Sequence, residues 1–487
     1  MMKKGLIFLS MMLLILLVGC EYGQEVEPTP TGKEPTRDFT VDEYYQDGAI
    51  IQQLQEFVIK GQSEEGVLLK ASLYDQNGYI VKQISDLADA TGSFQMTMTA
   101  PAASFNEYRL IITDSVHTHE IDKILFGEVW VMMGERNIAT PEITEELANP
   151  GLKFLKRTNI GLLWCDELSP LVYGLCVDLA HHLLQKLNVP IAIVDATLIA
   201  GHADAWLDKD IASKHKVILN YLDKIERSSL LENDHINSDE PGSMYNSYIK
   251  PLEGHGFKGI WWSQGQSDYA SLSTTDYTQT GYVYSYIITQ IFSDQILSKK
   301  GLEFFTIQDG YHQEAYSNAL RSVQATCAYQ LNDMGIIPTY DIVKIEQDEE
   351  NEEEVIVSFD YEGYVERIFD ITYENVYRNK KNYYAPSYVN VVANQENITI
   401  SFNTGITLEK VDEIHDLKII DSEGEEVEFT FTINNNYLYL VMDLTDEVLG
   451  TGFEYSICYA QDETLYLGNL KATTGIPVLP FIININE

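Results

Sequence analysis

The chain has 487 residues, with 74 acidic side chains against 32 Lys and Arg and a net charge of −42. That length accommodates about three domains with cores of their own, and 45% hydrophobic with 11% aromatic content excludes a mostly disordered polymer. The charge excludes nucleic acid as a partner, because phosphate binding needs clustered cations, and it disfavours docking on anionic membrane surfaces.

At the amino terminus Lys3 and Lys4 precede an apolar run over 6–18, the pattern of an export signal. The run is short for a spanning helix, which needs about 20 residues. It ends in Leu17-Val18-Gly19-Cys20, which resembles the lipobox of bacterial lipoproteins. The resemblance implies that residues 1–20 are a signal and lipobox, with cleavage before Cys20 and lipid on its thiol. Residues 21–43, with Pro28, Pro30, Gly32 and Pro35, read as a flexible linker. The expected location is extracytoplasmic, with membrane contact through the lipid anchor only.

Residues 44–125 alternate in short strands at 57–59, 66–69, 94–98 and 108–112, punctuated by turns such as Asp75-Gln76-Asn77-Gly78. This is the pattern of a small β-sandwich. Gly61-Gln62-Ser63 in this stretch reads as a turn. From Phe126 the grammar changes. The run 127–133 is continuously apolar, as in a strand buried on both faces of a parallel sheet. Helical periodicity follows at 175–187, 282–297 and 314–331, with further apolar strands at 189–194 and 257–262. Alternating β and α elements over 126–337 imply a doubly wound α/β domain. Past Ile337 helices are not expected. Residues 338–487 read as an acidic loop, densest over 346–354, followed by a second β domain with clean alternation at 398–402, 429–433 and 437–441.

Active sites in doubly wound sheets lie beyond the carboxyl ends of the strands. Four segments stand there: Gly134-Glu135-Arg136-Asn137, residues 198–206, Gln264-Gly265-Gln266-Ser267-Asp268, and Asp309-Gly310-Tyr311-His312. Together they resemble the blocks of the sialate O-acetylesterase family. The first block, Gly127-Glu128-Val129-Trp130 through Gly134-Glu135-Arg136-Asn137-Ile138, is similar to that family's G-E/D-V-W-x-x-x-G-Q-S-N-M. Residues 198–206, ending in Asp204-Ala205-Trp206, resemble W-G-G-T-x-x-E-A-W. Tyr245-Asn246, Pro251-Leu252, Lys258-Gly259 and Trp262 through Asp268 resemble the long Y-N…Q-G-E-S-N stretch. Asn469-Leu470 with Gly475-Ile476-Pro477 and Pro480-Phe481 resembles the family's carboxyl-terminal ending.

The resemblance implies a three-layer SGNH-hydrolase-like parallel sheet flanked by amino- and carboxyl-terminal β-sandwich-type domains. It implies acetylated sialic acid or related glycans as ligands, and no cofactor. Ester hydrolysis requires a nucleophile, a base and a carboxylate orienting the base, with donors aimed at the oxyanion. By resemblance Asp309 and His312 are the acid-and-base pair, and Gln264, with the turn of Ala200 and Gly201, supplies oxyanion donors; Asn137 and Gln266 complete the ligand contacts. The family's serine is replaced by Arg136, a guanidinium that stays protonated and cannot attack a carbonyl. The family's paired glycines fall at Ile199 and Ala200, where side-chain bulk is expected to restrict the loop, its Glu is Gln266 and its Asn is Asp268.

Two readings follow. One is an acetyl esterase with another nucleophile, for which Ser267 is the natural candidate and Ser263 a weaker one. The other is a catalytically inactive carbohydrate-binding lipoprotein, in which Arg136 points into the old pocket and pairs with Asp309 or a ligand carboxylate. Glu135 beside it is expected at most to form an ion pair with Arg136. No metal site is expected: His181 and His182 diverge by about 100° on a helix, His117 and His119 lack partner ligands, and His202, Asp204 and Asp208 form only a loose set. Cys165, Cys176, Cys327 and Cys458 lack a CxxC spacing and read as buried free thiols.

Overall fold

The computed structural model describes residues 32–136, 138–141, 148–232, 239–268, 277–293, 301–308, 317–330, 334–347, 355–380, 383–394, 397–442, 454–461 and 468–486. In the amino-terminal region β1 (Thr40–Val41), β3 (Glu56–Gln62) and β6 (Ser93–Thr99) form a three-stranded sheet. It packs against β4 (Leu68–Tyr74), β5 (Ile80–Leu87) and β7 (Ser104–Thr113). Alternation accounts for this: in β6, Phe94, Met96 and Met98 point inward and are buried. Gly61 and Gln62 belong to β3, opposite Phe94 and Ser93, and do not form the expected turn. A Cβ at Gly61 would meet the Thr40 carbonyl, so the extra strand needs glycine there.

One strand joins this region to the next. β8 (Thr118–Glu135) is 18 residues long. Its first half pairs with β7 and, at Leu125 to Gly127, with β2 (Ile50–Gln52). Its second half is buried at every residue and lies between β11 (Ile191–Leu198) and β12 (Gly259–Ser263). The sheet around it has the order β10-β9-β11-β8-β12-β13-β14, with β9 (Leu152–Thr158), β10 (Gly161–Cys165), β13 (Glu303–Ile307) and β14 (Met334–Ile337). All neighbours along it run parallel except the β9–β10 hairpin. The chain leaves β8 on one side, returns through β11, and crosses to β12 on the other, so the strand order reverses at β8.

Helices cover both faces. Val129, Val131 and Met133 share a core with α2 (Lys216–Lys224), α3 (Tyr277–Ser293) and α4 (Ser317–Gln330). Trp130 and Met132, of opposite parity, share another with α1 (Gly174–Leu187) and α5 (Tyr361–Thr372). Helix α5 corrects the expectation that helices end at Ile337. Its buried residues Tyr364, Val365, Ile368, Phe369 and Ile371 follow helical spacing despite the acidic surroundings. It completes the roof over Trp130 and Trp261, whose rings stack at 4.2 Å. Their indole N–H groups donate to Tyr377 and Thr372, at and just beyond the end of that helix.

Of the expected acidic loop, Glu346 and Gln347 end β15 (Val343–Gln347), which pairs with β16 (Val355–Phe359); residues 348–354 lie outside the described residues. The carboxyl-terminal region is two facing sheets. One has the order β17-β18-β21-β20, from β17 (Tyr388–Ala393), β18 (Asn397–Phe402), β20 (Phe429–Asn434) and β21 (Tyr437–Met442). The other joins β19 (Leu417–Asp421), β22 (Glu454–Tyr459) and β23 (Phe481–Asn486). Ile398, Ile400, Leu438, Leu440, Ile419 and Ile457 fill the space between. Cys165, Cys176, Cys327 and Cys458 carry no disulfide.

Candidate functional site

The site forms where β8, β11 and β12 end, at the reversal of strand order, the place where open α/β sheets bind ligands. Gly134 makes the first constraint. It pairs with Ser263 at a φ of +101°, and a Cβ there would lie 1.9 Å from the Ser263 carbonyl oxygen. Glycine therefore lets β8 and β12 keep close contact as they part. Beyond it the alternation of a strand sends Glu135 and Arg136 to opposite faces.

Glu135 turns toward the loops after β11 and β12 and is buried. Its carboxylate accepts from the backbone N–H of Gly201 (3.3 Å), Gly265 (2.8 Å) and Ser267 (3.1 Å), and from the Ser267 hydroxyl. The Gln264 amide, 3.5 Å away, donates more closely to the Gly201 carbonyl (2.7 Å) and to Asp268 (2.9 Å). Asp268 in turn accepts from Ala203 N–H (3.0 Å) and the Tyr284 hydroxyl (2.5 Å). Asp204, in the turn after β11, is held by Arg227 through two bonds of 2.6 and 2.9 Å.

Three buried carboxyls thus lie close together. Burial, and after it the negative charge of Asp268, pushes the Glu135 carboxyl above its ordinary range; the Ser267 and backbone donors oppose this. Burial also raises Asp268, against the donors from Tyr284, Ala203 and Gln264, and raises Asp204, against Arg227.

Arg136 turns to the α1 side. Its Nε donates to Thr197 (2.8 Å) and its Nη2 to Asp195 (2.9 Å) and the Leu171 carbonyl (3.0 Å), with the guanidinium over the Tyr173 ring. Lys156 reaches the same Asp195 carboxylate at 3.1 Å. Desolvation lowers the Lys156 pKa, while Asp195 acts to raise it. The Tyr173 N–H and the Thr197 hydroxyl occupy what remains of Asp195. This corrects two expectations. Glu135 and Arg136 do not pair, because adjacent residues at a strand end face opposite ways. Arg136 does not aim into the cleft between the loops of β11 and β12; its carboxylate partner is Asp195.

Among the other expected residues, Gln264 and Gly201 are brought together, joined through amide and carbonyl. Ala200 lies exposed in the turn before Gly201, and the Ile199 side chain is 84% exposed, so it does not crowd that turn as expected. Gln266 begins the short helical turn Gln266–Asp268. Asn137, Asp309, His312 and the lipidation candidate Cys20 lie outside the described residues, though the chain reaches the loop of Asp309 from Gln308, at the end of β13. The histidines have separate partners: His117 with Asp114, His119 with Asp38, His181 with Glu167 and His202 with Asp239. Among the described residues no group of three or more His, Cys, Asp or Glu is placed to hold a metal ion.

Sequence reasoning missed Asp195, Arg227 and the buried role of Glu135. A signal existed for Asp195, an acid set directly after the apolar run 189–194 in a strand buried at every residue. Arg227 follows a short amphipathic helix and carries no such mark.

No family model matches the chain, and no curated protein matches it in sequence. Among solved structures, a carbohydrate acetylesterase from Xanthomonas citri superposes with a TM-score of 0.68 at 19% identity, over 92% of this chain and 99% of that one. A putative β-galactosidase from Bacteroides fragilis (TM-score 0.25, 9% identity, 92% and 72% coverage) and β-glucuronidase 3 from Bacteroides uniformis (TM-score 0.23, 8%, 93% and 63%) overlap too poorly to carry an argument. The chain therefore shares, over nearly its whole length, the mixed α/β fold with added β regions of a carbohydrate acetylesterase.

Proposed function

We propose that this protein is an extracytoplasmic lipoprotein, anchored through Cys20, that binds acetylated sugars without hydrolysing them, on a sialate O-acetylesterase-like scaffold with an SGNH-type central domain. The shared fold with a carbohydrate acetylesterase supports the ligand class, and the motifs around Gly134, Gln264 and Asp309 support sialic acid or a related sugar. The observation that carries the non-catalytic reading is the state of the donors. A tetrahedral intermediate needs N–H groups aimed at an empty position where negative charge develops. Here the N–H groups of Gly265 and Ser267 point at the Glu135 carboxylate, that of Gly201 is shared between this carboxylate and the Ser267 hydroxyl oxygen, and the Gln264 amide is spent on Gly201 and Asp268. The cation at the position of the family's serine is held by Asp195 on the far side of the sheet end.

One contact favours a second reading. The Ser267 hydroxyl donates to Glu135, a carboxylate that could take its proton, and Gly201 N–H lies 3.1 Å from the same oxygen. In that case Ser267 would be the nucleophile of an acetyl esterase, with His312 and Asp309 serving the leaving group.

The test assays the full-length protein against a chromogenic acetyl ester and O-acetylated sialic acid, with binding of the sugar followed by ligand-observed NMR. The expected result is saturable binding with no turnover. Turnover at ordinary enzyme rates, abolished by Ser267→Ala or His312→Ala, would establish the esterase reading. Arg136→Ser is expected to stay silent alone, because Glu135 still occupies the donors; paired with Glu135→Gln it is the variant most able to gain activity.

A further inference from the structure

The carboxyl-terminal sheet β17-β18-β21-β20 buries one face and exposes the other. Leu438, Leu440 and Met442 of β21 point into the sandwich, so Tyr437, Tyr439 and Val441 point out. Register then decides what stands beside each ring. On β18 and β20, Ser401 and Asn434 are opposite Tyr437, and Thr399 and Thr432 are opposite Tyr439. The face therefore carries two rows, Ser401-Tyr437-Asn434 and Thr399-Tyr439-Thr432. In each, a ring is flanked on both sides by a hydroxyl or amide about 5 Å away, the spacing of strands. The two rings lie nearly parallel, 26° apart with centroids at 6.0 Å, and Tyr437 is 39% exposed.

Charge sets this face apart. The protein carries 74 acidic side chains, yet none of the outward positions of these four strands is charged. The outer face of the opposing sheet, by contrast, bears Lys418 and Glu454. A polyanion would find no cation here and would be repelled by the protein as a whole. A polycation would find no acid on the face itself. A neutral sugar chain meets neither obstacle: the apolar C–H side of a pyranose is attracted to the electron-rich face of a tyrosine ring, and its hydroxyl rim needs the uncharged donors and acceptors that Ser, Thr and Asn supply.

We propose that this outer face is a second glycan-binding site, a flat platform for a neutral polysaccharide in which Tyr437 and Tyr439 stack on successive sugar rings. The platform does not rest on the reading of the strand-end site. It would hold the protein on a polymer while the strand-end site meets a substituent.

The test is affinity electrophoresis of the full-length protein through gels containing hydroxyethylcellulose, xylan, galactomannan or, as the acidic comparison, polygalacturonate. Retardation by at least one neutral polymer is expected, insensitive to salt and absent with polygalacturonate. Tyr437→Ala with Tyr439→Ala should lose about tenfold or more in affinity, Ser401→Asp should lose it too by introducing a charge, and the two Tyr→Phe changes together should keep most of it. These positions are solvent-facing, so thermal midpoints should stay close to wild type. Binding of O-acetylated sialic acid at the strand ends should survive in the tyrosine variants, which separates failure of the platform from failure of the strand-end reading. Absence of retardation by all three neutral polymers would overturn the platform, as would equal retardation of the double alanine variant. A concentration-dependent dimer in sedimentation that the alanine variant dissolves would instead make the face a self-association surface.

Discussion

Two neighbours at the end of one strand, Glu135 and Arg136, have opposite surroundings. Glu135 is a buried carboxyl close to that of Asp268 and compensated by N–H and O–H donors, with no ion pair to a cation among the described residues. Arg136 is a cation on the other face, tied with Lys156 to one buried carboxylate, Asp195. The difference teaches what each can do. The dipoles around Glu135 are committed to a carboxyl already present, which makes the loop side poor at stabilising a new charge. The Arg136 side is a structural clasp, binding the ends of β8, β9 and β11 together.

Removing Asp195 should break that contrast most strongly. Asp195→Ala leaves two poorly solvated cations facing each other, at an expected cost of about 3–5 kcal/mol in urea unfolding. A loss below about 1 kcal/mol would show that Lys156 and Arg136 find other partners or water. Gly134→Ala tests the point at which the two sides separate. The clash with the Ser263 carbonyl should force β8 and β12 apart and cost about 1–3 kcal/mol, visible as a lowered thermal midpoint. Arg136→Ala should cost less, about 1–2 kcal/mol, because Asp195 keeps Lys156, Tyr173 N–H and Thr197. An effect as large as that of Asp195→Ala would mean the arginine, and not the carboxylate, organises the clasp.

The smallest effect concerns pH on the Glu135 side. A carboxyl whose pKa is raised by folding binds its proton more tightly in the folded state. Stability from such a group is present below its unfolded value and is lost as pH rises from that value through the raised folded one. Glu135→Gln should therefore flatten the fall in thermal midpoint between the ordinary carboxylate range and neutrality. Asp268→Asn should act in the same direction. An unchanged slope in both variants would show that the donors around these groups fully compensate their burial.

Much of this organisation was legible in the chain. The unbroken apolar run 127–133 announced a strand buried on both faces, and β8 is buried at every residue from Ile124 on. Alternation in 437–441 announced one inward and one outward set, and Leu438 and Leu440 are indeed core. Helix α5 was readable in principle from the spacing of Tyr364, Ile368 and Ile371, but its acidic setting hid it. That β8 would run unbroken from one region into the next could not be read, because no turn residue was needed to signal a change of partners.

The sequence by itself determined the alternation of elements, the strand ends where side chains of chemical interest gather, and an arginine at the position where the family it resembles has a serine. These follow from local periodicity and residue identity, which the chain carries directly. Only the tertiary structure decided that Arg136 belongs to Asp195, 59 residues away, that the donors of two loops converge on Glu135, and that two tyrosines lie among hydroxyls and amides on an uncharged face. Each of these depends on which strands become neighbours and in what register. That choice is made by the burial of whole faces, so no local pattern of residues could encode it.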